Sequence, residues 1–125
     1  MGVATDLRLQ IAASLTAAGV PAFANMPHSV APPLVALTPG EPYMTANRIG
    51  SALQVQINLT ANLIVPQLDS DASMEQLEDL IEATFRALPP GVHASEVSAP
   101  RVDRLGESQG AVLVAELDIQ AQGKE

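Results

Sequence analysis

LQVQINLTANLIV, residues 53–65, alternates in character: Leu53, Val55, Ile57, Leu59, Ala61, Leu63 and Val65 are apolar, and Gln54, Gln56, Asn58, Thr60 and Asn62 between them are polar. Successive side chains of a strand point to opposite faces, so this period of two predicts a strand with one buried face and one wet face. At roughly 3.3 Å per residue it would run about 40 Å, well beyond an ordinary strand, and is expected to bend, bulge or project. Its polar face carries amides and hydroxyls but no charge. Two readings fit such a face: an ordinary solvated sheet surface, or hydrogen bonding to a neighbouring subunit through Gln54, Gln56 and Asn58.

Downstream, Pro66 closes the strand, residues 68–72 read as a turn, and Ser73 with Gln76 has the spacing of a capping box. Met74, Leu77, Leu80, Ile81, Phe85 and Leu88 then recur at helical spacing opposite Glu75, Glu78, Asp79, Glu82 and Arg86, so a helix with one apolar side is expected, ended by Pro89, Pro90 and Gly91. Glu82 and Arg86 stand four apart, the spacing of a helical ion pair. A strand is expected within residues 94–104 and another over 111–121, where Leu113, Ala115, Leu117, Ile119 and Ala121 alternate with Glu116, Asp118 and Gln120. The turn-rich GESQG between them suggests a hairpin, and residues 122–125 are expected to be loose.

Upstream, Leu7, Ile11 and Leu15 form one line of a helix over residues 5–18, its start capped or charge-complemented by Thr5 or Asp6 and its end set by Gly19 and Pro21. Residues 21–33 hold four prolines and read as an extended connector with a short edge strand around Phe23. Residues 34–38 are a short apolar strand. Residues 39–51, with Pro39, Gly40, Pro42 and Gly50, are expected to form a long flexible loop. The whole reads as one α+β domain, residues 1–125, with a mostly antiparallel sheet of four or five strands and two helices packed on one face.

Composition narrows the function. With 125 residues and 47% hydrophobic content the chain can build one core without metal or disulfide. Two Phe, one Tyr and no Trp leave that core to small aliphatic residues and give little surface for stacking ligands. The absence of cysteine removes thiolate nucleophiles, redox pairs and Cys-ligated zinc. A net charge of -8 opposes the cationic footprint of a DNA-binding protein. Asp6, Arg8 and Gln10 interrupt the N-terminal apolar residues, so no secretory leader is expected, and no stretch reaches membrane-spanning length.

Candidate chemistry is sparse. His28 and His93 are far apart in sequence and have no local ligand partner, which suits turn or surface histidines better than a metal or catalytic site. Asp69, Asp71, Glu75, Glu78, Asp79 and Glu82 lack the alternating oxygen pattern of a calcium loop and fit a solvated helix face, with Asp69 and Asp71 complementing the helix dipole. No phosphate-loop, dinucleotide, zincin or nucleophile-elbow string occurs. No enzyme activity and no cofactor are expected. The contact residues expected instead are Tyr43, Met44, Arg48 and Ile49, since Tyr, Met and Arg are enriched at interfaces; the competing reading is a loop packed on its own core.

The N-terminal helix, VPAFANMPHSVAPPLVALTPG (20–40), the alternating strand 53–65, the helix SMEQLEDLIEATFRAL (73–88) and the closing strand AVLVAELDIQ (111–120) together resemble the tail terminator proteins of long-tailed phages, the group of the lambda tail terminator. The resemblance covers nearly the whole chain and lies in element order, length and texture. It implies a virion protein, assembled in the host cytoplasm, that forms a hexameric ring on the head-proximal end of the tail tube. There it would stop tube growth and meet the head–tail connector. Its partners would be further copies of itself, the tail tube protein and the connector protein, with no membrane. DNA would pass through without specific binding, past acids such as Glu41, Asp103 and Glu107 in the bore. A connector or neck ring of the same assembly line is the alternative, and a small enzyme or ligand-binding domain built on His28, His93 and scattered carboxylates is the reading from another class.

Overall fold

The computed structural model describes residues 3–25, 33–50, 52–66, 70–104 and 111–124. Helix α1 (Val3–Ala17) leads into a two-residue strand β1 (Ala22–Phe23). The long strands β2 (Leu34–Ile49) and β3 (Ala52–Pro66) follow, then helix α2 (Ser70–Ala87), β4 (Val92–Val97), β5 (Arg101–Arg104) and β6 (Ala111–Lys124). The six-stranded sheet runs β1-β2-β3-β6-β4, with β5 also on β6; every pairing is antiparallel except β1 with β2.

The alternation of residues 53–65 sorts as the pleat requires. Val55, Ile57, Leu59, Ala61, Leu63 and Val65 are buried in the main core with Leu113, Ala115, Leu117, Ile119 and Ala121 of β6. Ile11 and Leu15 of α1 and Leu77 and Leu80 of α2 lie in the same cluster, so both helices cover one face of the sheet. On the opposite face Leu34, Ala36, Ile64, Val112 and Val114 form a smaller cluster, with Phe23 packed against it. Ser14 Oγ donates to the Ala87 carbonyl at 2.9 Å and ties the two helices together.

Three expectations about the sheet need correcting. Residues 39–49 are not a loop: β2 continues to Ile49, paired with β3, with a register shift between Pro39 and Met44. Proline and glycine signal a break locally, yet fifteen-residue β3 offers a partner along its whole length, and β2 beyond Ala36 is an edge strand, where proline's missing N–H is tolerated. The turn itself falls at Gly50, whose φ of 66° suits glycine. Likewise residues 122–124 are strand, because Gln54 pairs with Lys124; Glu125 lies outside the described residues. Six strands rather than four or five arise because β4 and β5 occupy the same edge of β6 in succession, split near Pro100, while Ser98 N still donates to Glu116 O at 2.8 Å.

The helix starts also move. α1 begins at Val3, so neither Thr5 nor Asp6 caps it; Asp6 sits in its first turn, where an acid complements the helix dipole as expected. Its stop is as expected: Gly19 has φ 89° and Val20 N donates to Leu15 O at 2.9 Å. α2 begins at Ser70, which puts Ser73 inside the helix, 2% exposed, with Oγ 3.3 Å from the Pro66 carbonyl. Thr84 is buried too and donates to Leu80 O at 2.8 Å. The buried line of α2 is therefore Ser73, Leu77, Leu80 and Thr84, two of them hydroxyls satisfied by backbone carbonyls. Met74 and Phe85, expected on the apolar side, stand on its flank and are exposed.

Candidate functional site

The expected contact residues fall at the far end of the β2–β3 ribbon. Residues 44–49 pair with β3 on one side, and β1 touches β2 only at Val35 and Ala36, so among the described residues their other edge has no strand beside it. Met44 stands opposite Ile57, Ala46 opposite Val55 and Arg48 opposite Leu53. Directly paired residues share a face, and Ile57 and Val55 are buried on the helix side, so Met44, Ala46 and Arg48 belong to that side as well. All three are exposed, Met44 at 47%, so neither helix covers them. Thr45, on the other face, is exposed too. At its described side chains this strand end is thus open on both faces, and among the described residues it is open along one edge.

Tyr43, one residue earlier, is half-buried and packs against the main core, as a residue covering its own fold does. The side chain of Ile49 lies outside the described residues. Arg48 stands out electrostatically. Arg8 donates to Asn25, Arg86 lies 3.8 Å from Glu82 and Arg101 lies 2.8 Å from Glu116. Of the arginines whose side chains are described, Arg48 alone makes no hydrogen bond or ion pair within the chain.

The uncharged face of β3 has internal work. Asn62 is buried and its Nδ2 donates to the Ala36 carbonyl and to Thr38 Oγ1, each at 3.0 Å. Asn58 Nδ2 donates to the Pro42 carbonyl at 2.7 Å and Gln56 Nε2 to Asn58 Oδ1 at 3.3 Å. Asn58 thus fastens the irregular stretch of β2 onto β3 and Asn62 the regular stretch before it, a role that alternation alone does not announce. Gly40 completes the fastening: a Cβ there would lie 2.9 Å from the Asn58 carbonyl oxygen. Gln54 and Gln56, half-buried, line a shallow polar depression with Thr45 and Gln122.

The remaining candidates are scattered. Glu41 is exposed beside the register shift, whereas Asp103 lies on β5 opposite Val112, which pairs with Pro66. From the Asn58 level to the Pro66 level is roughly 26 Å along the strand, so these two acids do not share one cluster. Glu107, His28 and Asp69 lie outside the described residues. His93 is exposed on β4 opposite Gln120 and borders a depression with Gln54 and Gln122. Asp71, Glu75, Glu78, Asp79 and Glu82 are all exposed on α2. Among the described residues no three His, Asp or Glu side chains gather in a metal-binding arrangement, and no helix is long and apolar enough to cross a membrane. Comparison with protein-family models finds no match, and comparison with curated proteins finds none either.

Proposed function

We propose that this chain is a structural subunit of the tail-terminator kind, without enzymatic activity or cofactor. Copies associate head to tail into a ring, written as a hexamer after the family it resembles. The ring caps the tail tube of a long-tailed phage, ends its growth and offers the head–tail connector a docking surface. The observation that carries this reading is the strand end at residues 44–49, open among the described residues on both faces and one edge, with an unpaired cation at its tip. A closed ring needs two different patches on each copy that fit one another, and a strand end left uncovered by its own helices is one such patch. The element order supports the family, and a net charge of -8 suits a bore that DNA crosses without adhering.

Negative-stain electron microscopy of the purified chain mixed with polymerising phage tail tubes tests the proposal. Rings seated at one end of each tube, with tubes of uniform length in place of open-ended growth, are the expected result. Bare tube ends and unrestricted lengths at saturating protein would reject the terminator role.

A further inference from the structure

α2 presents a second open surface. Met74, Glu78, Ile81 and Phe85 recur at i, i+4, i+7 and i+11, one line along the helix, rotated about 100° from the buried line of Ser73, Leu77, Leu80 and Thr84. Met74 is 38% and Phe85 44% exposed, Ile81 is half-buried, and Glu78 is exposed between them. Beside this line run Asp71, Glu75 and Glu82, all exposed. Among the described residues Glu78 has no hydrogen-bond or ion-pair partner.

The two open surfaces are complementary in kind. The β2 column is apolar at Met44 and Ala46 and ends in an unpaired cation; the α2 line is apolar at Met74 and Phe85 and carries an unpaired anion between them. The column is the part of the sheet's helix-side face that the chain's own helices leave bare, so a helix is the shape that would continue the layer. We propose that α2 of one copy seats its Met74–Glu78–Phe85 line on the Met44–Ala46–Arg48 column of the next copy, with Arg48 facing Glu78. The contact rests on the ring reading above and names the interface that builds it. It joins different elements of identical chains, which makes it heterologous and able to propagate around a ring. The acid-rich flank of α2 favours an arginine-bearing strand over a second acidic surface, and that sign complementarity selects another copy of this chain as the occupant.

Sedimentation velocity of the full chain and three variants, Arg48→Glu, Glu78→Arg and the double variant, tests the contact. Each single reversal places like charges face to face and is expected to weaken assembly by about tenfold or more, while the double variant restores the opposite-sign pair and assembles within a few-fold of the unaltered chain. Both side chains are exposed, so at a concentration low enough to keep all four proteins monomeric their far-ultraviolet circular dichroism melts should coincide, which separates lost assembly from lost folding. Assembly unchanged in the single variants, or singles that dissociate with no rescue in the double, would overturn the contact and leave the ring reading standing. Tube capping that depends on Arg48 while ring formation does not would assign the column to the tube protein and overturn it equally. An unaltered chain that stays monomeric at every concentration would sink the contact and the ring together.

Discussion

Leu63→Ala is expected to lower the unfolding free energy by about 2–5 kcal/mol, in the upper half of that range. Leu63 is fully buried in β3, with β2 on one side and β6 on the other, and its paired neighbours are Val35 and Ala115. Both neighbours are small and held in register by the ladder, so neither can swing into the space left by the lost isopropyl group. The cavity stays open, and its cost adds to the lost transfer free energy of the removed carbons. Against a total stability of roughly 5–15 kcal/mol for a domain of this kind, the loss is a large share. Urea denaturation followed by circular dichroism measures it: the midpoint should fall with little change in slope. A loss under about 1 kcal/mol would mean that Leu63 is not the centre of a packed layer.

Gly40→Ala is expected to cost about 1–2 kcal/mol net, through a different cause. Gly40 has no positive φ, unlike Gly50 at 66°, so alanine meets no conformational penalty there. Restricting the unfolded chain would by itself stabilise by about 0.4–1 kcal/mol. Working against that, the new Cβ would lie 2.9 Å from the Asn58 carbonyl oxygen, and both atoms are fixed to strand backbones. Overpacking of this sort costs about 1–3 kcal/mol, which outweighs the entropic gain. The disturbance should centre on the register shift between Pro39 and Met44 and loosen the Asn58-to-Pro42 hydrogen bond, visible as faster amide hydrogen exchange around residues 40–44 and 58. A variant more stable than the parent would show that this part of β2 is not pressed against β3.

These two residues mark the boundary of what the sequence makes legible. Leu63 is readable because burial on one sheet face imposes a period of two on every residue between 53 and 63, and the same rule exposes β6 through Leu113, Ala115, Leu117 and Ile119. The class of fold follows from those alternations and from the line of Leu77 and Leu80 on α2. Gly40 is misread because its role is set by a strand eighteen residues downstream. Local composition at residues 39–49 signals a loop, whereas pairing with β3, a non-local term, makes it strand. α2 fails in the opposite way: Met74 and Phe85 have core character but stand exposed, while Ser73 and Thr84 take core positions because carbonyls of Pro66 and Leu80 satisfy their hydroxyls. Hydropathy ranks side chains in isolation and cannot register a partner supplied by backbone.

The same limit governs the candidate site. Met44 and Arg48 can be named from composition, and both stand on the open strand end. What composition does not carry is the reason they are open, namely that neither helix covers the column. Nor does it reveal that Asn58 and Asn62, which look like contact residues, spend hydrogen bonds on holding β2 in place. Residues that fasten an edge strand and residues that await a partner have the same chemistry, and only the register tells them apart.

Native mass spectrometry of the purified chain across rising concentration tests self-assembly most directly. A closed ring gives one discrete multiple of the subunit mass above its dissociation constant, with no ladder of larger species beyond it. A lone monomer peak at all concentrations, or an unbroken series of ever longer oligomers, would contradict a ring-building subunit.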